Sequence, residues 1–200
     1  MKTLWKISAL TLAIATFGAG ATLAADDKAV QAAISRLAKG YLDPKTVPDA
    51  ALFLPPPPAK KSGAEARDKE AQKAALALQG GPRWKLATDD ADVFTPKATG
   101  AMSCAAGFEI SPEATPKLDA LLRRTMTDFA LSTRTAKAKY QRARPFMVNK
   151  KPNCTPDWDK TLRGDGSYPS GHSTIGFGWS LIVAELVPER AALLSARGRA

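Results

Sequence analysis

The sequence has little histidine and cysteine: one histidine, His172, and two cysteines, Cys104 and Cys154, in 200 residues. A single imidazole argues against most metal centres and against any mechanism that needs two histidines from these residues. Two cysteines are too few for a disulfide-dense mini-protein or a cysteine-rich zinc module. With 44% hydrophobic and 24% charged residues, the composition is instead typical of one globular domain.

Charge is missing between Lys6 and Asp26, and this gap defines the N-terminal segment. A basic start, an apolar middle and a small-residue end are typical of a secretory signal. An uncleaved membrane anchor is the alternative, because the uncharged run approaches the ~20 residues of a spanning helix. We interpret residues 1–24 as a signal peptide and residues 25–200 as a single domain, located in the periplasm or secreted.

Export would place Cys104 and Cys154 in an oxidising compartment, where cysteines tend to form disulfides. The exported chain has no third cysteine to compete for either thiol. Two buried free thiols are the alternative. The sequence therefore predicts a Cys104–Cys154 disulfide.

Positive charge is concentrated in one part of the chain. Residues 116–151 contain ten Lys and Arg but only two acidic residues, in a chain of net charge +10. Such a local field attracts anions, whereas the alternative is a solvated helix face. Lys137 and Arg144 in this segment have a spacing that suits a phosphate-binding site, so we expect no nucleic-acid partner. After signal removal, no further membrane span is expected.

Helical periodicity dominates the chain, and no stretch alternates convincingly as a β-strand. The patterns predict helices over residues 62–79, 115–140 and 170–187. The last of these is apolar on every side, which is typical of a buried helix. Residues 41–61 are rich in proline and predict an extended arm on the surface. The predicted fold class is all-α.

Lys137 and Arg144 are seven residues apart, in the middle of the basic segment. Two helical turns would place both cations on nearly the same face, about 10 Å apart. Pro145 favours a helix end at Arg144. A planar guanidinium binds two phosphate oxygens at once, and an ammonium adds a movable point charge.

A second candidate anion site lies where the loop at residues 166–170 enters the apolar helix. Ser170 is a typical N-cap, and Gly171 lets the backbone approach a ligand, so the free N–H groups of the first turn can bind an anion. His172 lies near the positive end of the helix dipole, where a neutral or proton-shuttling imidazole is useful. A purely structural histidine is the alternative.

Together these pieces carry a specific resemblance. Lys137-x6-Arg144-Pro145, followed by Pro169-Ser170-Gly171-His172, resembles the first two signature motifs of the type 2 phosphatidic acid phosphatase and vanadium haloperoxidase superfamily. The flanking residues and the Leu54-Pro-Pro-Pro-Pro58 arm are similar to those of the bacterial class A non-specific acid phosphatases.

The resemblance implies a helical bundle that hydrolyses small phosphate monoesters without a metal or other cofactor, with vanadate as a phosphate mimic and inhibitor. Lys137, Arg144, the Ser170 hydroxyl and the Gly171 amide would hold phosphoryl oxygens. His172 would protonate the leaving alcohol. Homo-oligomerisation is left open.

The third motif of the family, Ser-Arg-x5-His-x3-Asp, supplies the nucleophilic histidine and has no counterpart here. We interpret the chain as truncated, with the C-terminal helices of the bundle missing, and expect little or no turnover. One alternative is a non-catalytic periplasmic protein that binds phosphate or polyanions. A vanadate-dependent haloperoxidase is the other, which the phosphatase-like flanks disfavour.

Overall fold

The computed structural model describes residues 37–200, so the predicted signal at residues 1–24 lies outside the described residues. The described chain is helical and contains no β-strand between residues 37 and 200, which confirms the all-α prediction. Its α-helices are α1 (Gly63–Leu76), α2 (Pro82–Ala91), α3 (Ser103–Ala106), α4 (Pro116–Ser132), α5 (Arg134–Tyr140), α6 (Pro145–Asn149), α7 (Asp159–Arg163), α8 (Gly171–Leu186) and α9 (Ala191–Arg199). Short 3-10 helices occur at Ala50–Leu52, Ala98–Met102, Pro156–Trp158 and Pro188–Arg190.

Helix α8 lies at the centre of the core, between α4 and α9. Trp179 and Val183 of α8 are buried, and the Trp179 indole donates a hydrogen bond to the Leu122 carbonyl of α4 at 2.8 Å. The prediction of a buried helix holds for only part of α8, because α4 and α9 cover only part of its circumference. Leu181 and Leu186 are 48% and 56% exposed. Of the described helices, none combines the length and apolar character needed to cross a bilayer.

The helix predicted over residues 115–140 is two helices, α4 and α5, joined at Thr133. The Thr133 hydroxyl and backbone N–H both donate to the Ala130 carbonyl, at 2.8 and 3.3 Å, and tighten the last turn of α4. The helix predicted over residues 62–79 is α1, which begins at the expected cap. There Ser62 Oγ accepts a hydrogen bond from the Glu65 N–H at 3.1 Å.

The proline-rich segment at residues 41–61 consists of turns, bends and one 3-10 helix. The Tyr140 hydroxyl of α5 donates to the Leu54 carbonyl at 3.1 Å, and the Tyr168 hydroxyl donates to the Pro55 carbonyl at 3.0 Å. The segment therefore lies along α5 and the loop that precedes α8.

The predicted disulfide is wrong in this structure, in which Cys104 and Cys154 are both free thiols. Cys104 is exposed on α3, a helix that packs against α9. Cys154 is half-buried in a loop, and its own backbone carbonyl accepts a hydrogen bond from the Thr88 hydroxyl of α2 at 2.9 Å. The two thiols thus belong to segments that pack against different helices.

Candidate anion-binding site

One cavity of about 360 Å³ is lined by all five residues that are predicted to bind phosphate. Its lining includes Lys137, Arg144, Ser170, Gly171 and His172. These residues come from α5, from the start of α6 and from the start of α8. Three separate segments of the chain therefore meet at one concave surface.

The charged groups of Lys137 and Arg144 converge on one carboxylate oxygen. Asp165 Oδ2 lies 2.9 Å from Lys137 Nζ and 2.8 Å from Arg144 Nη2. Both cationic side chains are largely buried, with 12% and 19% of their surface exposed. Burial lowers the pKa of Lys137 and of Arg144, and the Asp165 carboxylate opposes that change in both. Because screening by water is weak here, the pair attracts an anion more strongly than surface cations would.

Backbone carbonyls at the end of α7 and in the loop between α7 and α8 hold the same two cations. Arg144 Nε donates to the carbonyls of Leu162 and Asp165, at 2.8 and 3.0 Å, and Lys137 Nζ donates to the carbonyl of Gly166. The loop can press this closely on α5 because Gly166 has no side chain. A Cβ atom at residue 166 would lie 2.9 Å from the Lys137 carbonyl oxygen.

The backbone between Lys137 and Arg144 is not the continuous helix that their spacing predicts. Helix α5 ends at Tyr140, since Gln141 adopts a left-handed backbone with φ of 42°. Arg144 follows in extended backbone as the N-cap residue of α6. The chain therefore turns Arg144 back towards the cavity, and the expectation of a shared helix face is wrong.

The start of α8 supplies the second wall of the site. Ser170 caps the helix as predicted, since its Oγ accepts a hydrogen bond from the Ser173 N–H at 3.2 Å. The hydroxyl hydrogen of Ser170 remains available to a ligand, because capping uses only an oxygen lone pair. A Cβ atom at Gly171 would meet nothing within 4 Å, so the backbone at this position faces open space. The N–H groups of a first helical turn have no partner within their own helix.

His172 extends from the first turn of α8 towards the end of α2. Its Nε2 lies 2.9 Å from the Ala91 carbonyl oxygen. Because a carbonyl oxygen only accepts, Nε2 carries a hydrogen and Nδ1 is the nitrogen left for proton exchange. Burial lowers the pKa of His172, although the Ala91 hydrogen bond opposes this, and the Arg144 and Lys137 charges lower it further. While the cavity holds no added anion, this imidazole therefore gives up its proton more readily than a free imidazole does.

The rest of the cavity wall is largely apolar. Phe94 and Trp158 line it and stack on each other, with ring centroids 5.6 Å apart and an interplanar angle of 18°. Met126, Leu131 and Ile175 extend the apolar surface towards the core. A ligand with an anionic head and an organic body could place each part against a matching wall.

Sequence reasoning missed Asp165 and the Ala91 carbonyl. The pairing of Asp165 with Lys137 spans 28 residues, so no local sequence pattern indicates it. Within residues 37–200, no group of three or more His, Cys, Asp or Glu side chains is arranged to hold a metal ion.

Comparison with known proteins places this site within a family. The PAP2 superfamily matches residues 121–196, a range that contains both motifs. This match assigns residues 121–196 to the PAP2 superfamily.

Its relatives narrow this class further. The chain is 38% identical over 159 residues to the non-specific acid phosphatase of Salmonella typhimurium, covering 79% of this chain and 64% of that protein. It is also 38% identical over 151 residues to the acid phosphatase of Zymomonas mobilis, covering 76% of this chain and 57% of the relative. The non-specific acid phosphatase of Providencia stuartii is 36% identical over 160 residues, with 79% and 64% covered. These findings confirm the resemblance to the bacterial non-specific acid phosphatases, although the chain spans only 57% to 64% of the length of these relatives.

Proposed function

We propose that the protein hydrolyses phosphate monoesters and that the cavity binds the phosphoryl group. The observation that carries this proposal is the meeting of Lys137, Arg144, His172 and the start of α8 at one cavity. A transferring phosphoryl group spreads negative charge over its oxygens, and catalysis is largely positioning and electrostatic stabilisation. The names of the relatives, acid phosphatases, support the same reaction.

Each residue then has a distinct task. Lys137 and Arg144 bind phosphoryl oxygens through their charged groups, and the Ser170 hydroxyl and Gly171 N–H donate to the same group. His172 gives its proton to the leaving alcohol oxygen as the bond from phosphorus to that oxygen breaks. A bound dianion raises the pKa of His172 because it offsets the nearby cations that help to lower that pKa. Substrate binding thus favours the protonated form of His172, which is the form that donates a proton.

Phosphate binding without turnover is the second candidate function for these 200 residues. The sequence has a single histidine, and we assign it to proton donation. The attacking imidazole that the family resemblance implies is therefore not among these residues. We propose that they supply the binding and proton-donating parts of the site, and we expect little or no turnover from them alone.

Calorimetric titration of the chain with inorganic phosphate and with p-nitrophenyl phosphate tests the binding proposal. We expect one saturable site, competition between the two ligands, and little release of p-nitrophenol at acid pH. A chain that binds neither ligand would overturn the proposal. Robust release of p-nitrophenol would support the phosphatase reaction and overturn the expectation of low turnover.

We also propose that phosphate binding needs no metal and that the protein works outside the cytoplasm. The binding residues proposed here are cations, a hydroxyl, backbone N–H groups and an imidazole, none of which requires a metal bridge to phosphate. Phosphate affinity unchanged by dialysis against a chelator, and vanadate competition with phosphate, are the expected results. Export rests on residues 1–24, and N-terminal sequencing of protein recovered from the periplasm of a bacterial host tests it.

A further inference from the structure

We propose that the carboxylate of Asp165 is an internal anion that occupies the phosphoryl position of the cavity and is displaced when a phosphate ester binds. Asp165 would then set the affinity of the site for phosphate. This inference rests on the proposed function, because it concerns the same cavity and the same two cations.

The position of one oxygen atom is the first argument. Asp165 Oδ2 bridges the ammonium of Lys137 and the guanidinium of Arg144, at 2.9 and 2.8 Å. These are the distances of charge-assisted hydrogen bonds, and a phosphoryl oxygen held by both cations would need the same place. The Asp165 side chain is 33% exposed and lines the cavity, so it stands on the ligand's side of the cations.

The cations do not depend on this carboxylate for their positions. Arg144 Nε is held by the carbonyls of Leu162 and Asp165, and Lys137 Nζ is held by the carbonyl of Gly166. Three backbone acceptors therefore stay in place if the Asp165 side chain rotates away. The carboxylate is the one partner in this cluster that can leave without moving the loop backbone.

Electrostatics explain why the carboxylate would leave. A carboxylate and a phosphate dianion repel each other and compete for the same donors, so both cannot occupy this position. The apparent association constant for phosphate is the intrinsic constant multiplied by the fraction of molecules in which the Asp165 side chain is withdrawn. A self-occupied site binds substrate more weakly, and it also releases the phosphate product more readily.

Phosphate titrations of Asp165→Ala and Asp165→Asn test the inference. We expect Asp165→Ala to bind inorganic phosphate roughly tenfold more tightly than the unmodified chain, because the competing anion is gone. Asp165→Asn should gain less, since its amide oxygen can still accept hydrogen bonds from both cations. The asparagine also keeps the shape of the side chain, so the test survives if the alanine variant does not fold.

Asp68→Asn is the matched control. Asp68 pairs with Arg142 away from the cavity lining, so this variant makes the same change in net charge without touching the site. It should bind phosphate with unchanged affinity. Equal gains in Asp68→Asn and Asp165→Asn would mean that net charge alone acts, and would overturn the inference.

The remaining outcomes separate this inference from the proposed function. If the unmodified chain binds phosphate and the folded Asp165 variants bind it equally or more weakly, the carboxylate does not compete and only this inference fails. If neither the unmodified chain nor any variant binds phosphate, the proposed function and the inference fail together.

Discussion

Lys137 and Arg144 belong to different helical segments, yet their charged groups lie 2.9 and 2.8 Å from the same oxygen of Asp165. Their side chains are largely buried, and backbone carbonyls hold both in place. The cavity thus keeps two fixed positive charges beside a helix N-terminus. Because the backbone holds both cations, binding of an external anion needs displacement of the Asp165 side chain but no rearrangement of the cations themselves.

The first prediction concerns the guanidinium of Arg144. Arg144→Ala should weaken binding of inorganic phosphate by about 10- to 100-fold, since hydrogen bonds to charged groups contribute about 1.5–3 kcal/mol. Calorimetric titration at constant ionic strength measures the change. Arg142→Ala is the matched control, because Arg142 pairs with Asp68 outside the cavity lining. Equal losses in the two variants would show that general positive charge, and not this cavity, binds the phosphate.

The second prediction follows from the pKa of His172, which burial and two cations lower. A bound dianion raises that pKa, so binding takes up a proton and affinity must increase as the pH falls. Sulfate is a suitable probe because it stays a dianion between about pH 5 and 7.5, and its affinity should rise as the pH falls through this range.

The His172→Gln variant lacks the imidazole but retains Asp165, which also faces the cavity. It therefore separates the contribution of the imidazole to the pH dependence from any contribution of that carboxylate. The variant should bind sulfate with a much flatter pH dependence. An undiminished pH dependence in His172→Gln would assign the proton uptake to another group.

The third prediction compares Gly166, in the loop before α8, with Gly171, at the start of α8. Gly166→Ala should destabilise the chain by about 1–3 kcal/mol, because its Cβ would lie 2.9 Å from the Lys137 carbonyl oxygen in a closely packed contact. Gly171→Ala should not, since a Cβ there meets nothing within 4 Å. Urea unfolding of both variants makes the comparison. Equal stability of the two would contradict the close contact between the loop and α5.

The fourth prediction concerns the two free thiols. Cys104 is exposed, whereas burial raises the pKa of the Cys154 thiol and reduces its thiolate fraction. Titration with a thiol reagent should count two thiols in the native protein, with Cys104 reacting first. The Cys104→Ser variant identifies the fast phase. The opposite result would be native protein, purified without reductant, that reacts only after a reductant is added. That result would show that the predicted Cys104–Cys154 disulfide does form.

The local features of the site could be predicted from the sequence. Ser170 is a cap by residue type, and the helix predicted from residue 115 does begin there, with Thr115 as its N-cap and Pro116 as its first residue. The two motifs identified Lys137, Arg144 and His172 at the cavity, but not Arg134 or Asp165, which also line it. Local rules succeed here because helix starts depend on a few adjacent residues.

Tertiary contacts account for what the sequence could not predict. The break at Thr133 and the left-handed Gln141 interrupt a continuous helical pattern, because packing overrides propensity at these positions. The Asp165 contacts join a loop to side chains 28 and 21 residues earlier in the sequence. The exposure of Leu181 and Leu186 on α8 depends on which segments pack against that side of the helix. The hydrophobicity of the residues does not give this information.

A crystal structure of the chain grown with orthovanadate tests the central claim most directly. We predict a tetrahedral or pentacoordinate oxyanion within about 4 Å of Lys137 Nζ, the Arg144 guanidinium and the Gly171 N–H. The Asp165 carboxylate should have rotated away from both cations. Vanadate bound elsewhere, or an empty cavity at a saturating concentration, would contradict the account.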